Sequence, residues 1–142
     1  MCRSRTVLII FLNSAPIYWF SKCQTSVETS SFGSEFITMK QCCEYVIVIH
    51  YKLHIMGMPI DLPTYTIGDN QSVLCNTFKT HSSLKNKSSS KEFHFVRKGT
   101  ANNEWRTAYT NIHFNTAYIL TKSLDGGEKR SKFIGYILNF IN

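Results

Sequence analysis

With 142 residues, 43% of them hydrophobic and 18% charged, the chain has the size and composition of about one globular domain and not of a disordered segment. No segment approaches the roughly 20 apolar residues of a membrane helix, so no membrane span is expected. The net charge of +7 sits in one half: residues 79–142 hold 11 Lys and Arg against 4 Asp and Glu, while the first 78 hold 5 of each. A basic half beside a neutral one points to a polyanionic partner, most simply nucleic acid; a merely solubilising basic surface is the plainer reading.

The amino terminus imitates a secretory signal, with Arg3 and Arg5 ahead of an apolar stretch from Val7 to Leu12. That stretch is shorter than the usual 7–15 residues of a signal core. Thr6–Leu12 therefore reads as a strand buried on both faces, Asn13-Ser14-Ala15-Pro16 as a turn, and Ile17–Lys22 as the return strand of a hairpin. Gln24–Ser31 is a polar connector with a helix cap near its end.

From Phe32 to about Met56 apolar residues recur every three or four positions, through Phe36, Met39, Cys43, Val46, Ile49 and Leu53. This spacing predicts one long helix, against the strand preference of Val46-Ile47-Val48-Ile49, and Gly57-Met58-Pro59 supplies its stop. Ile47 falls on the otherwise polar face. Tyr65-Thr66-Ile67-Gly68 is a short strand that delivers Asp69 at its carboxyl end, where open α/β sheets usually place their chemistry. A short helix over Asn70–Phe78 follows, and Asp69 could equally be no more than its N-cap.

Thr80–Ser90 reads as a Ser- and Lys-rich solvated loop, with Lys85, Lys87 and Lys91 available to follow phosphates. Lys91–Gly99 resumes a helical pattern and Glu104–Tyr109 alternates as a half-buried strand. Thr116–Leu124 and Glu128–Asn142 read as closing helices around Gly126-Gly127. Trp19 and Trp105 are expected in the core, and His50, His54 and His81 without specific roles. The order of elements predicts a single mixed α/β domain. Five cysteines, an odd number with no Cys-x-x-Cys pair, fit free thiols in a reducing compartment, cytoplasmic or nuclear and not secreted.

Several short motifs, in order along nearly the whole chain, resemble the RNase H domain of copia-type LTR retrotransposon polyproteins. Tyr18-Trp19-Phe20-Ser21-Lys22 with Gln24 resembles that family's Trp-Ser-Lys-x-Gln segment, and Ser34-Glu35-Phe36-Ile37-Thr38-Met39 lies in its Ser-x-Glu-Phe/Tyr-x-Ala-Met/Leu stretch. Gly68-Asp69-Asn70-Gln71-Ser72-Val73 resembles its Asp-Asn-x-x-Ala/Val motif. His94-Phe95-Val96-Arg97 resembles its His-x-x-x-Arg-Glu helix, and Leu120-Thr121-Lys122 its closing Leu-Thr-Lys-Pro-Leu.

The resemblance implies an RNase H-like mixed sheet with flanking helices, and cleavage of RNA in RNA/DNA hybrids. Four carboxylates would hold two Mg2+ about 3.5–4 Å apart, one activating water and one stabilising the leaving oxygen. Glu35 and Asp69 match two of those ligands, and His113 falls where a proton-handling loop histidine would lie. Tyr118, in Asn115-Thr116-Ala117-Tyr118-Ile119-Leu120-Thr121-Lys122, stands in place of the last aspartate. The first aspartate belongs to a central strand that precedes the hairpin and is missing here. With Cys23, His50 and His54 at positions where the family often carries Arg or Lys, this implies a copy truncated at its 5′ end and decaying. The expected outcome is an inactive nuclease domain; the alternative is a non-catalytic basic module that binds nucleic acid.

Overall fold

A computed structural model describes residues 4–25, 31–58, 60–78, 90–121 and 127–138. The chain is a mixed α/β protein with strands β1 (Arg5–Leu12), β2 (Ala15–Cys23), β3 (Thr64–Gly68) and β4 (Trp105–Tyr109). Its helices are α1 (Ser31–Ile55), α2 (Gln71–Phe78), α3 (Ser90–Ala101) and α4 (Glu128–Leu138), with a 3-10 turn at Thr116–Leu120. The strands form two separate ladders, antiparallel β1–β2 and parallel β3–β4. No strand among the described residues joins them into one mixed sheet. The chain divides into two compact units, residues 28–110 and residues 1–27 with 111–142. Among the described residues no helix is long and apolar enough to cross a membrane.

The 28–110 unit is built around α1. Phe36, Met39, Cys43, Val46 and Leu53 all turn inward, as their spacing requires. The β-branched run at 46–49 is helical all the same. Its propensity cost is a few tenths of a kcal/mol per residue, which burial of Val46 readily offsets. Ile47 is left 43% exposed. Phe36, Met39 and Cys43 join Val73 and Leu74 of α2, Phe93 and Val96 of α3 and Trp105 of β4 in one core cluster. Trp105 is 1% exposed and donates its indole N–H to the Val96 carbonyl at 3.1 Å. Buried hydroxyls of Thr77 and Thr107 meet at 2.8 Å, tying α2 to β4.

The helix α1 ends where Gly57 adopts φ +76°. The Met58 N–H donates to the Leu53 carbonyl (2.8 Å) and the Gly57 N–H to the His54 carbonyl (3.0 Å), the paired bonds of a Schellman ending. A Cβ on Gly57 would meet nothing within 4 Å, so substitution acts on the backbone alone. Gly57→Ala is expected to cost about 1 kcal/mol, the left-handed penalty of an L-residue, read as a lower urea midpoint with an unchanged slope.

In the other unit the hairpin closes between Leu12 and Ala15, with Asn13 in the left-handed region at φ 54°. Pro16 faces Phe11 where the register shifts, next to the Ile10/Phe11 irregularity; having no N–H, proline suits such a break in the ladder. Gln24 donates its side-chain amide to Thr6 at 3.1 Å, and Ser21 its hydroxyl to the Leu120 carbonyl at 3.0 Å. The expectation that Trp19 is a core residue is corrected. It is 66% exposed, because Ile17, Trp19 and Ser21 share the outward parity of β2 while Tyr18 and Phe20 point inward.

The expected helix from Thr116 is a 3-10 turn ending at Leu120. Asn115 caps it through Ala117 N–H, and both the N–H and the hydroxyl of Thr121 donate to the Tyr118 carbonyl. The loop expected over Thr80–Ser90 lies outside the described residues except for Ser90, which opens α3. His81, Lys85, Lys87, Lys122 and Leu124 lie outside them as well.

Candidate functional site

Glu35 stands in the second turn of α1 and Asp69 directly after β3. Two packing contacts bring them together. Met39, one helical turn beyond Glu35, places its terminal methyl 3.7 Å from where a Cβ on Gly68 would lie, so α1 crosses the carboxyl end of β3. Phe36, fully buried beside Glu35, anchors that turn through edge-on contacts with Phe32 (4.9 Å) and Phe93 (5.5 Å). A small residue at 68 and an aromatic at 36 thus set the height and rotation of the glutamate.

Asn70 follows Asp69 in the chain. Its Oδ1 accepts from the Ser72 N–H at 2.9 Å and the Val73 N–H at 3.3 Å, which makes Asn70 the N-cap of α2. Asp69 is not used for that purpose. Partial burial pushes the Glu35 carboxyl above its ordinary value of 4.5; the Asn70 hydrogen bond opposes the shift, and the neighbouring Asp69 charge adds to it.

A carboxyl raised in the folded state favours folding below its ordinary pKa, and that contribution is lost as pH rises through the folded value. Glu35→Gln is therefore expected to raise the urea midpoint at neutral pH and to leave it nearly unchanged below 4.5. An equal effect at both pH values would contradict the assignment.

Other expected residues are placed less centrally. His113 lies in an exposed turn of the other unit, its backbone N–H donating to Asn111 Oδ1 at 3.0 Å. Tyr118, standing where the resemblance puts an aspartate, is half-buried in the 3-10 turn of that same unit. Arg97 stacks over the Phe93 ring at 4.9 Å. On the opposite side of α3, Lys91, His94 and Lys98 recur at helical spacing and are all exposed.

His50, expected to have no specific role, bonds Thr64 at 2.6 Å and so fastens α1 to the start of β3; burial lowers its pKa. Burial raises the thiol pKa of Cys42 to about 11 and that of Cys43 higher still, which leaves both inert.

Comparison of the chain with protein-family models, curated proteins and solved structures returned no match.

Glu35 and Asp69 are hard oxygen donors whose mutual repulsion a cation would relieve, so this pair fits one divalent ion such as Mg2+. The side-chain oxygen of neighbouring Asn70 is engaged by α2. No group of three or more His, Cys, Asp or Glu is found among the described residues.

Proposed function

We propose that the chain is an RNase H-like domain of the copia-type retrotransposon kind that, by itself, engages nucleic acid without hydrolysing it. The observation that supports this most is the packing of α1 against the end of β3, Met39 on Gly68, on the two elements that carry Glu35 and Asp69, residues 34 positions apart that the resemblance pairs in one site. Mg2+ held there would be a single Lewis acid next to a phosphate, without the second ion that two-metal hydrolysis requires. Glu35 and Asp69 would supply its charge, and Phe36 and Met39 hold α1 over the strand end. Exposed Cys23 and Cys75 thiols suit a reducing cytoplasmic or nuclear setting.

Purified chain incubated with a labelled RNA/DNA hybrid and Mg2+ is expected to give no cleavage above background. Turnover that disappears in Glu35→Gln would overturn the reading, since a working site would then exist.

The exposed face of α3 favours the second reading, a basic module for nucleic acid, and the two are compatible. Hybrid affinity should fall steeply with salt, and replacing Lys91 and Lys98 together by Ala should reduce the slope of log affinity against log salt by about 2. Salt-independent binding would remove the nucleic-acid partner.

A further inference from the structure

We infer that the carboxyl-terminal half of α1 and the connector after it form a surface on which a second copy of this chain docks, α1 lying antiparallel to its counterpart. This goes beyond the nucleic-acid reading and does not depend on it. One face of α1 is occupied by the core of the 28–110 unit, through Phe36, Met39, Cys43, Val46 and Leu53. A second apolar stripe runs beside that face. Ile47, Val48, Tyr51 and Ile55 are spaced three or four apart and are all exposed. The connector extends the stripe. Gly57 turns the chain back, and the bond between His50 and Thr64 fastens the far end of the connector to α1. Met56, Met58, Ile60 and Leu62 therefore lie at the same end of the unit, and they too are exposed.

Size and charge select the occupant. These side chains are 37–77% exposed. At roughly 150–200 Å2 per large apolar residue, that is roughly 700–900 Å2 of apolar surface. The largest apolar patch of a monomer is usually roughly 300–600 Å2, and each side of a standard interface buries roughly 800 Å2. The charges around the patch cancel, Lys40 and Lys52 against Glu44 and Asp61, so it offers no field to nucleic acid or to an anionic membrane. A surface of the same neutral, apolar kind is what it fits, and another copy carries one. With the two-fold axis at Tyr51, each Tyr51 meets its counterpart and Ile47 meets Ile55 of the second copy, as an isologous contact requires. Lys40 and Glu44, further along the stripe, already pair at 3.2 Å, so they bring no unneutralised charge into the contact. Lys52 and His54 flank the stripe and stay in the wet rim.

Sedimentation of the full chain from about 1 to about 100 µM should show its mass rise from 16.4 kDa toward twice that value. Tyr51→Lys sets like charges face to face on the axis and should weaken association about a hundredfold; Ile47→Lys should act in the same direction. Both positions are exposed on a helix that lysine suits, so the far-UV circular dichroism of both variants should match that of the parent chain. Tyr51→Glu alone should be monomeric too, and an equimolar mixture of Tyr51→Lys with Tyr51→Glu should recover the dimer. Only copies that meet at Tyr51 predict that recovery. Tyr65→Lys, at an exposed position of β3, should leave association unchanged.

A parent chain that keeps the mass of one copy at every concentration would overturn the proposal. So would a dimer that survives both lysine variants, or a mixture that stays monomeric. An effect of Tyr65→Lys equal to that of Tyr51→Lys would overturn the assignment to α1. A monomeric parent that binds phosphatidylcholine vesicles, and loses them in Tyr51→Lys, would assign the surface to lipid instead.

Discussion

Gly99→Ala is expected to destabilise the 28–110 unit by about 3 kcal/mol, at the upper end of the range for overpacked cores. Gly99 is a buried residue of α3, and a Cβ built on it would overlap three carbons of the Trp105 ring. The indole cannot step aside. It is 1% exposed, and its N–H is held by the Val96 carbonyl one helical turn before Gly99. Glycine is needed here for close approach and not for its backbone freedom, since α3 runs through the position as regular helix. Urea unfolding followed by tryptophan fluorescence and by far-UV circular dichroism checks this, and a midpoint equal to that of the parent chain would mean that α3 and β4 do not pack this closely. Against a total stability of roughly 5–15 kcal/mol for a domain, such a loss leaves little margin.

Phe36→Ala should cost about as much, roughly 3–5 kcal/mol, by the usual sum of lost transfer energy and residual cavity. The ring is fully buried between Phe32 and Phe93, and no flexible side chain among those contacts can fill the space. Its functional effect is the more informative one. Phe36 sets the rotation of the α1 turn that carries Glu35, so the variant should also displace Glu35 from the end of β3. Phe36→Leu, which keeps much of the volume, should recover a large part of the stability. Equal losses for alanine and leucine would show that the edge-on aromatic geometry, not the filled space, is what matters.

The elements that follow from local patterning were legible in the sequence. The three-to-four step from Phe32 to Leu53 placed α1 within a residue of its ends, and Gly57 marked its stop. The hairpin, β3, α2, α3 and β4 came from apolar runs, alternation and turn residues in the same way. What could not be read depends on how elements approach each other. Trp19 was placed in the core because tryptophan usually is, yet strand parity decides its side, and parity is meaningful only once the core face is known. The 3-10 turn at Thr116–Leu120 departs from the expected helix because Thr121 folds back onto the Tyr118 carbonyl, a competition that periodicity does not register.

The candidate site was legible in part. Glu35 and Asp69 stood out as carboxylates at a helix start and a strand end. The cap of α2 is Asn70, one residue beyond the Asp69 that the sequence also offers for it. The bond between His50 and Thr64 was missed because it exists only once α1 crosses β3.

The division of the backbone has a consequence for synthesis on the ribosome. Residues 28–110 are one uninterrupted stretch and can collapse as soon as they emerge, whereas the hairpin, made first, must wait for partners made last. The hydrogen bond from Ser21 to Leu120 spans 99 positions, so closing that loop comes late and carries a large entropic cost. Until then the nascent hairpin presents Val7, Leu8 and Ile10 without their final cover, and this interval is when the polypeptide is most exposed to chaperones and to aggregation.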